Sequence, residues 1–311
     1  MAKLISSSYL VPLILPLSSN KKGWPWYLKS EKIISPKKLS GKETILPRIT
    51  IVTPSYNQAD YLEETIRSVL LQGYPNLEYI IMDGGSNDNS KEIIQYYSNF
   101  IDYWVSEKDK GQSSAILSGF NRSTGTILGF VNSDDILLPN ALNAVGHFFH
   151  SHKSVNLLIG KSVLLNSESQ IYHKVPGIPP TYRSLLFNGT RGFNQPASFW
   201  RKDTFYSVGG FESSLLFSFD YDLYLRLTRC HRAFRVNEYF AGFRMHPQSK
   251  TSTMEMVRLR ENAQLREREG ISQDNNLKNI TLKTLYSFRY RLLAGVFKIK
   301  NWFGFEKITR I

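Results

Sequence analysis

Adjacent carboxylates at the end of an apolar run are the first chemistry in this sequence. Thr126-Ile127-Leu128-Gly129-Phe130-Val131 leads into Asn132-Ser133-Asp134-Asp135, and Ile136-Leu137-Leu138-Pro139 follows. The pattern reads as a buried strand ending in two acids, then a helix started by Pro139. Two carboxylates at such a strand end are unfavourable unless something neutralises them. A divalent cation, Mg²⁺ or Mn²⁺, does so while holding a phosphate, because these ions take one or two carboxylates plus phosphate oxygens. The alternative is an Asx-turn that caps the following helix.

Other strand ends repeat the theme. Ile49-Thr50-Ile51-Val52 is β-branched and runs into Thr53-Pro54-Ser55-Tyr56-Asn57, which cannot continue it. Asp60 then opens a helix with Leu62, Ile66, Val69 and Leu70 at helical spacing. Leu77 to Met82 is a second strand, followed by the turn Asp83-Gly84-Gly85-Ser86-Asn87-Asp88 and a helix through Ile93-Ile94. Tyr103-Trp104-Val105 is a third, ending in Glu107-Lys108-Asp109-Lys110-Gly111-Gln112 ahead of a helix with Ala115, Ile116 and Phe120. Alternating strands and helices imply an α/β fold with a doubly wound, mainly parallel sheet flanked by helices. Ligands of such sheets bind beyond the carboxyl ends of the strands, where Asp83, Asp109 and Asp134 all fall. Acids and amides favour turns and helix caps in any case, which is the competing explanation for the set.

Taken in order, Thr53-Pro54-Ser55-Tyr56-Asn57, Asp83-Gly84-Gly85-Ser86-Asn87-Asp88, Asp109-Lys110-Gly111-Gln112 and Asn132-Ser133-Asp134-Asp135 resemble the signature of family 2 glycosyltransferases. The resemblance covers roughly residues 49–250. It implies a GT-A fold, a nucleotide diphosphate sugar as donor with a lean to UDP, a Mn²⁺ or Mg²⁺ ion, and inversion at the sugar carbon. It also implies that Pro54, Tyr56, Asn57 and Asp83 contact the nucleoside, with Asp83 on the base, and that Asp109, Gln112 and Ser133 line the nucleotide-sugar site. The family's aspartate-any-aspartate motif maps onto Asn132-Ser133-Asp134, with Asn at its first position. Asp134 is the expected metal ligand, and Asp135 is the alternative.

Inversion needs a general base for the acceptor hydroxyl. Ser218-Phe219-Asp220-Tyr221-Asp222 resembles the family segment in which an acidic pair opens a helix, and the base aligns with Asp220; Phe219 stands where the family has Glu. Asp222 is the second catalytic candidate, with an i,i+4 ion pair to Arg226 as its structural alternative. Asn194-Gln195-Pro196-Ala197-Ser198-Phe199-Trp200 resembles the acceptor-side strand, with Gln195 as a polar contact and Trp200 as a sugar-stacking ring or an ordinary core residue. Arg244-Met245-His246 resembles a segment in which Arg244 balances diphosphate charge and His246 binds phosphate or metal.

The net charge of +13 suggests nucleic acid until its distribution is read. Residues 49–250 hold 18 Lys/Arg and 18 Asp/Glu, residues 1–48 hold 9 against 2, and residues 251–311 hold 12 against 6. The excess lies in the ends, no nucleic-acid-binding pattern accompanies it, and no nucleic-acid partner is expected. The chain therefore divides into a basic N-terminal extension (1–48), a catalytic domain (49–250, with the nucleotide half at 49–140 and the acceptor half at 141–250) and a basic helical region (251–311). Within 282–303, Leu282, Leu285, Leu292, Leu293, Val296, Ile299 and Phe303 share one helical face, with Lys283, Arg291 and Lys298 opposite. Such a helix suits an anionic membrane surface, or packing on the catalytic domain. Leu10 to Leu17 is too short and Pro-interrupted to span a membrane. The expectation is a cytoplasmic enzyme, peripheral at the inner face of the plasma membrane, acting on a lipid-linked or polysaccharide acceptor. A nucleotidyltransferase would need a basic Gly-rich phosphate loop, which Pro54-Ser55-Tyr56-Asn57 is not. A non-catalytic nucleotide-sugar-binding protein is the alternative from another class.

Overall fold

The computed structural model describes residues 23–26, 45–271 and 277–302. The first half alternates strand and helix as expected. It contains β1 (Ile49–Ser55), α1 (Ala59–Leu70), β2 (Leu77–Asp83), α2 (Ser90–Tyr97), β3 (Tyr103–Ser106), α3 (Gln112–Arg122) and β4 (Ile127–Phe130). The second half has β5 (Ile136–Leu137), α4 (Ala141–Ser151), β6 (Leu157–Leu165), β7 (Ile171–Val175), α5 (Tyr182–Asn188), β8 (Ser198–Arg201) and α6 (Lys202–Ser207). It continues through α7 (Phe219–Cys230), β9 (Ala233–Arg244), α8 (Lys250–Thr253), α9 (Glu255–Arg268) and α10 (Leu277–Trp302).

The strands form one mixed sheet in the order β3-β2-β1-β4-β8-β6-β9-β5, with β7 beside β6. β1 to β4 pair in parallel. β8 is antiparallel to both β4 and β6, so β6 and its parallel neighbour β9 run in the sense of β1. The carboxyl ends of β1 to β4 and β9, and the amino end of β8, therefore share one edge.

Strand alternation divides the core into two layers. Ile49, Ile51, Tyr79 and Ile81 face Leu62, Ile66 and Val69 of α1, with α2 and α4 alongside. Val52, Ile80 and Met82 point the other way, to Ile116 and Phe120 of α3 and Leu223, Tyr224 and Leu227 of α7. The second layer also takes Leu265 of α9, so the packed unit continues past residue 250.

One expected element differs. Pro139 does not start a helix: Ile136 and Leu137 form the short strand β5 against Gly242 and Ala241 of β9, and Leu138 N–H donates to Phe240 O (2.9 Å). That pairing satisfies the backbone in extended form, and the helix waits until Ala141, after Asn140 in the left-handed region (φ 69°).

Of the N-terminal extension, residues 23–26 lie over this part of the sheet. Trp24 Nε1 donates to Leu137 O (2.8 Å) and Arg67 Nε to Pro25 O (3.2 Å). The apolar run Leu10 to Leu17 lies outside the described residues, as does Phe303. α10 rests on α5: the rings of Phe187 and Tyr286 stack at 5.5 Å, and Asn188 Nδ2 donates to Tyr286 O (2.9 Å). Its Leu285, Phe288, Leu292 and Leu293 remain exposed. Among the described residues no helix is long and apolar enough to cross a membrane.

Candidate active site

Hydrogen bonds lock the turns at the carboxyl edge to one another. Asn57, in the left-handed region (φ 51°), donates its N–H to Ser86 Oγ (2.8 Å) and accepts from Asn87 N–H (2.9 Å). Asp88 accepts from Ala59 N–H at the start of α1 (2.9 Å). These bonds leave the Tyr56 ring on the rim, 61% exposed. Pro54 is buried within β1 opposite Met82, one residue before the strand ends.

Asp83 is nearly sealed, at 2% exposure. It accepts from Ser86 N–H (2.9 Å), Ser86 Oγ (2.5 Å) and Ser106 Oγ (2.7 Å). A carboxylate has about four acceptor positions, so about one stays available. Asp109 accepts from Gly111 N–H (2.7 Å) and lies against Gly84, where a Cβ would approach its Oδ2 to 2.9 Å. Glycine at 84 is what lets the second and third turns touch.

The two adjacent acids diverge. Asp134 keeps a 17% exposed side chain at the strand-end edge, and its Oδ2 lies 3.1 Å from His246 Nε2. That hydrogen bond is the largest cause raising the His246 pKa above its ordinary value. Asp135 turns inward, 1% exposed, to accept from the Arg244 N–H (2.8 Å) and Asn132 Nδ2 (3.2 Å). Burial first, and the Asp134 charge second, push its carboxyl well above the usual carboxylate range. Asp135 is therefore a strut between the acidic loop and β9, a correction to its place as alternative metal ligand. Among the described residues no three His, Cys, Asp or Glu gather into a metal-binding group. Asp134 and His246 do converge, and one carboxylate, one imidazole and phosphate oxygens are together a donor set suited to Mn²⁺. Ser133 is buried beside them, its carbonyl accepting from Thr65 Oγ1 (2.9 Å).

Arg244 also requires correction. Its side chain is fully buried and every nitrogen is engaged: Nε with Asp134 O (2.7 Å), one terminal nitrogen with Asn166 O and Ser169 Oγ, the other with Glu64 Oε2 (3.0 Å). It cannot reach a diphosphate without leaving Glu64 unpaired in the interior. A cation that does lie beside these turns is Lys250, which sequence reasoning did not single out. Its Nζ donates to Gln112 Oε1 (2.9 Å) and Leu216 O (3.0 Å). Gln112 passes the connection on, from its Nε2 to Asn132 Oδ1 (2.6 Å). Nothing in the spacing of residues 244–250 signals this; only the meeting of α3, α7 and α8 creates it.

In the second half of the chain, Asp220 lies in the first turn of α7, half-buried, accepting from Tyr221 N–H (2.7 Å). Burial raises its carboxyl pKa to about 6, against the lowering effects of that N–H and of Lys250. Asp222 is fully buried between Arg226 (2.5 Å) and Arg268 (2.5 Å), so its oxygens are engaged in ion pairs and it is corrected from catalytic candidate to structural anion. Trp200 is likewise corrected. It is fully buried among Phe120, Phe130, Phe205 and Tyr224 and presents no ring to a sugar. Gln195 donates to Phe130 O (2.8 Å) at the end of β4, while its buried Oε1 has no partner. Ser218 Oγ, just before α7, is also buried without a partner. Buried polar atoms without a partner are uncommon in folded proteins.

Comparison with known proteins agrees with this geometry. The family profile described as Glycosyl transferase family 2 matches residues 50–207. A Rickettsia typhi protein named an uncharacterized glycosyltransferase is 26% identical over 225 residues, covering 68% of each chain. TuaG of Bacillus subtilis, a putative teichuronic acid biosynthesis glycosyltransferase, is 37% identical over 92 residues, 29% of this chain and 36% of that protein. WfgD of Escherichia coli, named a UDP-Glc:alpha-D-GlcNAc-diphosphoundecaprenol beta-1,3-glucosyltransferase, is 28% identical over 141 residues, 45% of this chain and 55% of that protein. Among solved structures, S. aureus TarS 1–349 in complex with UDP superposes with a TM-score of 0.58 at 16% identity, covering 78% of this chain and 71% of that one. The likeness shows a shared fold, the GT-A type.

Proposed function

Because this chain belongs to glycosyl transferase family 2, we propose that it moves a sugar, with inversion, from a UDP-linked donor to a hydroxyl of a lipid-linked or polysaccharide acceptor. The observation that carries the reading is Asp220. Its carboxyl has a pKa of about 6 and feels the charge of Lys250, which is linked through Gln112 to Asn132 of the acidic loop. A base of that strength is ionised at neutral pH yet accepts a proton readily.

In this reading Asp83 spends its remaining acceptor position on the imide N–H of uracil, and Tyr56 offers its open ring to the base. Asp134 and His246 would hold Mn²⁺ against the diphosphate; the bound ion would neutralise charge as UDP departs. Lys250 adds a positive charge on the same side. As the acceptor oxygen forms its bond to the anomeric carbon, its proton passes to Asp220, and the bond from that carbon to the UDP oxygen breaks. The donor and acceptor classes draw support from relatives whose names specify UDP-Glc, a diphosphoundecaprenol-linked sugar and teichuronic acid, and from TarS, solved with UDP-GlcNAc. A lipid-linked acceptor also suits a protein held at the inner face of the plasma membrane by the exposed apolar side of α10.

The test is thermal stabilisation and UDP release with UDP-Glc and UDP-GlcNAc in Mn²⁺, beside GDP- and dTDP-sugars. Only the UDP-sugars should raise the unfolding midpoint. Asp134→Asn should remain folded and lose both the Mn²⁺-dependent stabilisation and most UDP release. Stabilisation by GDP-sugars alone would overturn the donor, and unchanged metal dependence in Asp134→Asn would overturn the ligand.

A further inference from the structure

The turn that aims Asp220 is not held by its own residues. Ser218, the residue before α7, makes no side-chain cap bond, and its hydroxyl has no partner. Three consecutive backbone N–H groups, of Leu216, Phe217 and Ser218, instead converge on one carboxylate, Glu261 of α9, at 2.7, 3.0 and 2.7 Å. Glu261 is 7% exposed. Successive N–H groups form an anion-binding concavity, and a buried carboxylate filling it makes charge-assisted bonds about twice as strong as neutral ones. The opposite side of the turn is tied as well, since Leu216 O accepts from Lys250 Nζ. α9 cannot slide away from α7, because Arg268 pairs with Asp222 at 2.5 Å and Leu265 is buried in the shared core.

We propose that Glu261 is a positioning residue for catalysis: its carboxylate fixes the Leu216–Ser218 turn so that Asp220 keeps its half-buried place at the acceptor hydroxyl. The proposal rests on the reading of Asp220 as general base, and it assigns a catalytic duty to a helix outside the matched residues 50–207. A misplacement of about 1 Å in a catalytic group can reduce rate on the order of a hundredfold, so a turn with no local cap needs such a clamp.

Glu261→Gln tests it. Glutamine keeps the volume but offers one acceptor oxygen where the three N–H groups use two. The full-length variant should still show midpoint shifts with UDP-Glc and UDP-GlcNAc, because the Glu261 carboxylate bonds the 216–218 turn and neither Asp83 nor Asp134. UDP release in Mn²⁺, with water as acceptor, should slow by roughly 10- to 100-fold. The Asp220 carboxyl, followed by carbon NMR and assigned with Asp220→Asn, should titrate below about 6, because a loosened turn hydrates it. Amide exchange at residues 216–218 should accelerate. An unchanged Asp220 titration together with unchanged exchange overturns the proposal, whatever the turnover. If Glu261→Gln does not fold, Glu261→Asp, which withdraws the charge by one methylene, should move both readouts in the same direction by less. Asp220→Asn run beside them separates the two ideas: wild-type UDP release in that variant overturns the base itself, while a slow Asp220→Asn with a wild-type Glu261→Gln overturns only the clamp.

Discussion

Asp220 should set the acid limb of turnover. Its carboxyl titrates at about 6, so UDP release should fall as pH drops through that value. Stability runs the other way. The folded state holds the proton up to about 6, whereas an unfolded Asp releases it near 3.8, so the group removes stability as pH rises through that window. Asp220→Asn deletes that penalty. Its unfolding midpoint at pH 7.5 should equal or exceed that of the wild type, while turnover drops at least about a hundredfold. Asp222→Asn should behave oppositely, because it weakens the buried anion shared by Arg226 and Arg268: the midpoint falls, and residual activity follows the folded fraction. Asp83→Ala should raise the UDP dissociation constant by roughly 10- to 100-fold, the equivalent of about 1.4–2.7 kcal/mol for a lost charge-assisted hydrogen bond, as read by calorimetry.

At the scale of elements, the pair Glu64–Arg244 ties α1 to the end of β9 across the acidic loop. Both side chains are at most 1% exposed, and removing one partner leaves an uncompensated charge in the interior. Glu64→Gln should therefore destabilise the protein by about 3 kcal/mol, lowering the melting midpoint by about 5 °C for a chain of this length. Denaturant unfolding checks this directly. A variant as stable as the wild type would show that Arg244 finds another anion, and would reopen the diphosphate for it. The same pair explains why the acidic loop has one outward and one inward acid. Arg244 supplies the N–H that draws Asp135 inward, and the loop carbonyl of Asp134 completes the guanidinium's bonds.

For the whole molecule, α10 decides between packing and membrane contact by doing the first with one side. Tyr286 packs on α5, and Leu285, Phe288 and Leu292 stay open to solvent on a helix that also carries Arg289 and Arg291. Replacing Leu285, Phe288 and Leu292 together by serine leaves the α5 contacts intact. The variant should lose sedimentation with anionic vesicles while keeping UDP release. Wild-type binding should weaken as salt rises, because surface charge attraction is screened over about 8–10 Å at ordinary ionic strength. Binding indifferent to both salt and the substitutions would remove α10 as the anchor.

The sequence by itself determined the alternation of strands and helices from 49 to 130, and that Asp83, Asp109 and Asp134 fall at strand carboxyl ends. Those are local signals: apolar runs of strand length, turn residues that break them, and a helical period that resumes. The tertiary structure decided what needs partners distant in the chain. Ile136–Leu137 is a strand only because β9 arrives beside it. Trp200 is core only because α3, α6 and α7 close around it. Arg244 is withdrawn from the cleft by Glu64, 180 residues earlier, and the Leu216–Ser218 turn is clamped by Glu261, more than 40 residues later. A side chain's chemistry depends on what desolvates and pairs it, and for each of these residues that is set by packing between elements rather than by its neighbours in sequence.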